Sequence, residues 1–246
     1  MERSTEMGSN RTGIDASPFD SKSMMNGAEK FFSTSGNMDA MHALQRDFDR
    51  QATPVGSVPI PGTPKGMLKS MMKKMTGHNP EMFINKLGER LAYERSGVRI
   101  YESFIEKCSA LAEEGESNPE MSISRLREFC DQEAQHFHMI KQCMETLGAD
   151  PTAQTPDADV SGVAAQGMMK VVSDPRTSIG QCLEAMLSLE MTDNAAWELL
   201  IKLAEDMGMD DMAREFGQAL KQEDIHLQQI RDWHERLVRS QARMKM

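Results

Sequence analysis

No two cysteines in this chain are spaced as CxxC, which removes the usual zinc-ribbon and redox-pair readings. Cys108, Cys130, Cys143 and Cys182 fall instead at helical positions, where they read as small buried hydrophobes in a reducing compartment. Long apolar runs are absent too: every apolar stretch is interrupted by charges, so no bilayer span is expected. The opening MERSTEMGSNRTGIDASPFD lacks the hydrophobic core of a secretory leader, which points to a cytoplasmic protein. Basic charge is in deficit, with a net charge of -10, and this argues against non-specific binding to nucleic acid. Aromatics make up only 5% of the chain, whereas methionines number 23. Methionine is a good helix former and an adaptable core filler, so the composition indicates a helical protein; the methionines are too scattered to favour a copper site.

Residues 1–78 differ in character from the rest, being rich in Ser, Gly, Asn and Met. The prolines between Ala52 and Pro64 exclude regular helix there and favour an extended arm. Two stretches inside this largely irregular arm have helical character: Met41, Leu44 and Phe48 form an apolar face, and Gly66–Met75 is basic and methionine-rich. Residues 79–246 form the second region. Asn79-Pro80-Glu81 and Asn118-Pro119-Glu120 each supply an N-cap acceptor, a first-turn proline and an acidic residue near the positive helix end. Asp174-Pro175 repeats the cap and proline, while Gly148 and Gly208 stand where C-terminal glycines belong. The pattern predicts helices at about 80–114, 119–147, 175–207 and 210–240. Their matched lengths, about 45 Å each, suit an antiparallel four-helix bundle. The connection 149–173 is long and carries a predicted short helix at about 160–172, so two helical hairpins are joined by one crossover.

Each of the four helices has an apolar stripe interrupted near its middle by a glutamate. The stripes are Leu87, Leu91, Glu94, Val98, Tyr101, Ile105; then Leu126, Phe129, Glu133, His136, Ile140, Met144; then Leu183, Leu187, Glu190, Asn194, Trp197, Ile201; and finally Phe216, Leu220, Glu223, His226, Ile230, Trp233, Leu237. Four carboxylates buried together repel one another and would otherwise have to protonate; bound cations remove that cost. Glu133-x-x-His136 and Glu223-x-x-His226 place a carboxylate and an imidazole on one helix face. With Glu94 and Glu190 they offer six ligand groups, enough negative charge for two divalent ions. The halves repeat: Leu91-Ala-Tyr-Glu94 corresponds to Leu187-Ser-Leu-Glu190, and Tyr101 to Trp197.

At these residues the sequence resembles the ferritin-like di-iron carboxylate superfamily, in the pattern of rubrerythrins and bacterioferritins. The resemblance covers about residues 80–240. It implies an all-α, ferritin-like bundle holding two iron ions, with manganese as the other candidate. It also implies Glu94 and Glu190 as terminal ligands, Glu133 and Glu223 as bridges, and His136 and His226 on one metal each. Asp193, one turn beyond Glu190, stands where rubrerythrins carry an extra glutamate; its counterpart Gly97 is expected to leave open space. Tyr101 is a candidate to hydrogen-bond a carboxylate ligand, although packing is the commoner role for an aromatic on such a stripe. No rubredoxin-like module accompanies the bundle, so electrons would come from a separate donor or from substrate iron.

Mixed carboxylate and imidazole ligands suit Fe or Mn. Three functions follow: ferroxidase or peroxidase chemistry with O2 or H2O2, oxygenation of a small organic substrate, or a non-catalytic scaffold whose N-terminal arm docks to a partner. The first is favoured because the ligands follow the rubrerythrin pattern and no substrate-binding domain is visible. A homodimer is also expected from the resemblance. His138 and His234 read as surface or outlying residues, and His42 and His78 are assigned no role.

Overall fold

Side-chain caps start four of the helices in the computed structural model, which describes residue 9 and residues 13–31, 38–60, 79–113 and 121–243. The chain divides into two compact units, Ser4–Pro54 and Val55–Met246. The first contains α1 (Pro18–Phe31) and α2 (Asp39–Gln51), and neither helix has a buried residue. The face expected around Met41, Leu44 and Phe48 is helical as read. The helix at Pro18–Phe31 departs from the expected irregular arm. Its start carries Pro18 and Asp20 and its last turn Lys30, placements that suit the helix ends and the macrodipole. Gly66–Met75, His78 and Asn118-Pro119-Glu120 lie outside the described residues.

The second unit contains α3 (Pro80–Glu113), α4 (Ile123–Leu147), α5 (Pro156–Ser173), α6 (Ile179–Asp206) and α7 (Asp210–Ala242). Together with the first unit they make an all-α protein among the described residues. Asn79 Oδ1 accepts from Met82 N at 3.3 Å, so the expected cap of α3 is present. Helix α4 begins at Ile123, capped by Ser122, whose hydroxyl accepts from Arg125 N. Asp174-Pro175 does not start α6. Asp174 instead terminates α5 and binds Arg176 in the turn, and α6 opens at a capping box in which Ser178 and Gln181 satisfy each other's backbone N–H groups. Gly148 ends α4 at φ 82, a left-handed conformation that glycine adopts without a Cβ clash.

Helix α3 packs against α4, α5 and α6; α7 packs against α6 and α4. The connecting segment runs along α3. At one end Asp157 N donates to Asn85 Oδ1 at 3.0 Å, and at the other Lys107 Nζ donates to the Asp174 carbonyl at 2.7 Å. Tyr93 O–H reaches across from α3 to the Leu189 carbonyl on α6 at 2.9 Å. Two apolar clusters fill the bundle. One gathers Ile100, Tyr101, Phe104, Phe129, Leu183 and Trp233; the other gathers Phe83, Leu87, Ile140, Met144, Trp197 and Phe216. The mid-helix glutamates lie between them in sequence on every helix. Val98, Leu187, Ile201 and Leu220 are only half-buried, whereas Tyr93, Ile100 and Phe104 are buried, so the stripes are rotated slightly from the predicted ones. Among the described residues no helix is long and apolar enough to cross a membrane.

Candidate metal centre

The bundle brings Glu94 (α3), Glu133 and His136 (α4), Glu190 (α6), and Glu223 and His226 (α7) to one buried layer, none more than 2% exposed. His136 Nδ1 lies 2.7 Å from Glu223 Oε1 and 3.7 Å from Glu94 Oε2. His226 Nδ1 lies 3.0 Å from Glu223 Oε2, 3.5 Å from Glu133 Oε1 and 3.7 Å from Glu190 Oε2. Glu223 therefore sits between the two rings, whose centroids are 6.5 Å apart. Potential ligand atoms of Glu94, His136 and Glu223 lie within 4.8 Å of one another, as do those of Glu133, Glu190, Glu223 and His226. The two groups share Glu223.

The outward nitrogen of each ring is held by a glutamine from the opposite hairpin. His136 Nε2 is 2.8 Å from Gln222 Oε1, and His226 Nε2 is 2.6 Å from Gln132 Oε1. With the amide oxygens facing the rings, Nε2 must carry the proton, which leaves the Nδ1 lone pairs turned toward the carboxylates. A neutral ring in that tautomer has nothing to donate to Glu223 at 2.7 Å. Two acceptors that close require a proton or a cation between them. Both Nδ1 atoms, both oxygens of Glu133 and Glu223, and Oε2 of Glu94 and Glu190 have no hydrogen-bond partner, whereas Glu94 Oε1 lies 2.9 Å from Arg90 Nε. Buried polar atoms are rarely left so, and a metal ion would satisfy them. The buried glutamates and histidines thus form clusters able to bind a metal ion.

The electrostatics of the layer agree. Burial, and then the charges of Glu223 and Glu94, push Glu133 well above the usual carboxylate range. Glu190 rises through burial and Glu223, although the Tyr101 hydrogen bond opposes the shift. Burial also favours protonated Glu223, but the close His136 and His226 imidazoles outweigh it and hold that carboxyl low. For His136 burial opposes the charged form, yet Glu223 and Glu94 raise it to about 11.

Tyr101 O–H donates to Glu190 Oε1 at 2.5 Å. Burial and Glu190 push its phenol upward, so it keeps that proton. Asp193 is buried and pairs with Arg90, whose Nη1 is 2.6 Å from its Oδ1. Gly97 does not leave open space, because a Cβ there would overlap Glu133 Oε2; the glutamate fills the room that glycine leaves. His138 is exposed, His234 half-buried, and none of the four cysteines forms a disulfide.

Three residues that shape this layer escape the sequence reading: Arg90, Gln132 and Gln222. The glutamines had a signal, since both motifs read Gln-Glu-x-x-His. Arg90 had none, because an arginine four residues before a glutamate is the common mark of a solvated helix face.

Residues 79–243 match the family described as a domain of unknown function (DUF892). The chain belongs to the DUF892 family. No curated protein and no solved structure matches it. DUF892 membership is consistent with the ferritin-like resemblance, and the matched segment contains every residue of the buried layer.

Proposed function

We propose that the bundle holds two iron ions and oxidises ferrous iron with O2 or H2O2, in the manner of a ferroxidase or peroxidase. The observation that supports this most is the pair of buried ligand groups joined at Glu223, in which both Nδ1 atoms and the oxygens of Glu133 and Glu223 lack hydrogen-bond partners. Glu94 with His136 would serve one ion and Glu190 with His226 the other, Glu133 and Glu223 being shared. Carboxylate and imidazole suit iron, and manganese is the alternative occupant. When bound, a di-ferrous pair supplies two electrons to the oxidant.

The chain's own groups do the rest. Gln132 and Gln222 fix the ring orientation and tautomer, as outer partners of histidine ligands do. Tyr101 orients Glu190 and keeps a phenolic proton beside the layer. Near-complete burial of all six candidate ligands excludes bulk water and strengthens every charge interaction among them. Reducing equivalents would come from substrate iron or from a separate donor.

The test is metal content after anaerobic loading with Fe(II), for the wild type and for Glu133→Ala/Glu223→Ala. The expected result is about two irons per chain, lost in the double variant. Oxygen or peroxide consumption with Fe(II) alone would then identify the reaction. A wild-type protein that takes up no stoichiometric Fe(II) or Mn(II) would overturn the proposal.

A further inference from the structure

A third group of converging ligand atoms lies beside the two already described: Glu94, Glu133, Asp193 and Glu223. It includes Asp193, the carboxylate without a counterpart in the other half, since Gly97 occupies the matching position. A cation already sits there. Arg90 is 1% exposed, with Nε 2.9 Å from Glu94 Oε1 and Nη1 2.6 Å from Asp193 Oδ1. Its guanidinium lies 4.4 Å from the centroid of the Tyr93 ring, which backs it with an aromatic face. Arg90 is as unmatched as its partner: four residues before Glu190, where symmetry would place it, stands Met186. The two unmatched residues therefore pair with each other.

Charge gives the pair its meaning. Glu94, Glu133, Glu190, Asp193 and Glu223 would carry one negative charge more than two divalent ions neutralise. A guanidinium supplies that missing charge permanently, and its rigid fork can serve two carboxylates at once. We infer that Arg90 is the built-in third cation of this centre: it holds Asp193 out of metal ligation and matches the ligand charge to a pair of divalent ions. Asp193 is then a positioning residue acting through Arg90. The inference rests on the two-metal reading above.

The experiment compares wild type, Asp193→Asn, Arg90→Met and the double variant, in two measurements. The first is thermal unfolding of metal-free protein. Arg90→Met leaves Asp193 and Glu94 without their counter-charge and should lower Tm by roughly 10 °C, with Asp193→Asn in the same chain recovering at least half of the loss. The second is Mn(II) affinity by equilibrium titration. Asp193→Asn leaves an under-compensated guanidinium beside the metals and should weaken binding by about 10- to 100-fold. Removing both charges should return affinity to within about threefold of wild type.

A double variant that binds Mn(II) no better than Asp193→Asn would mean that Asp193 is itself a ligand, and the inference fails. Wild-type affinity in Asp193→Asn would also overturn it, because the pair would then not act on the centre. Should Arg90→Met alone not fold, the double variant carries the metal measurement. A wild type that binds no metal defeats the two-metal reading instead, and the thermal measurement then judges the Arg90–Asp193 pair alone.

Discussion

The hairpin of α3 and α4 and the hairpin of α6 and α7 contribute the same candidate ligands, Glu94, Glu133, His136 and Glu190, Glu223, His226, but surround them differently. In the sequence repeat Arg90 corresponds to Met186, Gly97 to Asp193, and Tyr101 to Trp197. The outer glutamates consequently have unlike neighbours. Glu94 lies against a guanidinium at 2.9 Å, and Glu190 accepts a hydrogen bond from a phenol at 2.5 Å. Trp197 instead packs edge-on against His136, with ring centroids 5.5 Å apart. The central pair differs as well: burial and neighbouring carboxylates raise Glu133, whereas the two imidazoles hold Glu223 low against the effect of burial. The duplicated set of buried carboxylates and imidazoles is therefore inequivalent in its two halves, because burial makes each neighbour's charge count.

The largest break in this comparison should come from giving Gly97 a side chain. In Gly97→Ala the added Cβ would collide with Glu133 Oε2. Helix propensity favours alanine by about 1 kcal/mol, but overpacking costs about 1–3 kcal/mol and falls here on a candidate shared ligand. Metal titration should show affinity reduced by at least about 100-fold, while Gly180→Ala, whose Cβ would meet only ordinary contacts, leaves it unchanged. Next come the glutamines. Gln132→Leu and Gln222→Leu should each lower metal affinity by about 10- to 100-fold, and the histidine affected should lie on the opposite hairpin from the substitution. Ring-nitrogen NMR shifts would identify it, and a change confined to the same hairpin would refute the crossed pairing.

Tyr101→Phe removes the donor to Glu190 from one half only. Hydrogen bonds to charged groups contribute about 1.5–3 kcal/mol, so denaturant unfolding of the metal-free protein should show a loss near the lower end of that range. The dependence on pH has a sign set by the same buried groups. Glu133, Glu190 and Asp193 are raised in the folded chain, so it binds more protons than the unfolded chain from about pH 4 upward, and stability falls as pH rises. His136, raised to about 11, acts in the same direction once the pH exceeds its unfolded value of about 6.5. Glu223 has the opposite sign, but its contribution is complete above about pH 5. Metal-free Tm should therefore fall between pH 5 and 8, while the stabilisation gained on adding Mn(II) grows, because ligand protons are displaced. The smallest effect belongs to the other unit. Phe48 is 60% exposed on α2, and Phe48→Ala should change stability by no more than about 0.5 kcal/mol.

Much of the bundle is legible along the chain. Apolar residues at spacings of three and four can be buried only as helices side by side, and a glutamate that interrupts each stripe has to be buried with them. Two Glu-x-x-His pairs on such stripes must converge. These are local or periodic facts, and a linear sequence carries them without loss. The end of α4 was equally plain, since Gly148 takes a conformation other residues avoid. The start of α6 was less so. Asp174-Pro175 and Ser178 both offer a cap, and the choice fell to Lys107, which reaches from α3 to bind the Asp174 carbonyl and the Thr177 hydroxyl.

What the chain alone determined is thus the four long helices of the bundle and the carboxylates and imidazoles they turn inward. The tertiary structure decided which inward residues meet. Gln132 serves His226 rather than its own neighbour, Glu133 fills the space at Gly97, and Arg90 closes on Asp193, which lies 103 positions away in sequence. None of these contacts has a sequence period, because each depends on the rotation and height of one helix against another. Side-chain packing across the whole interface sets that register, and no single segment encodes it.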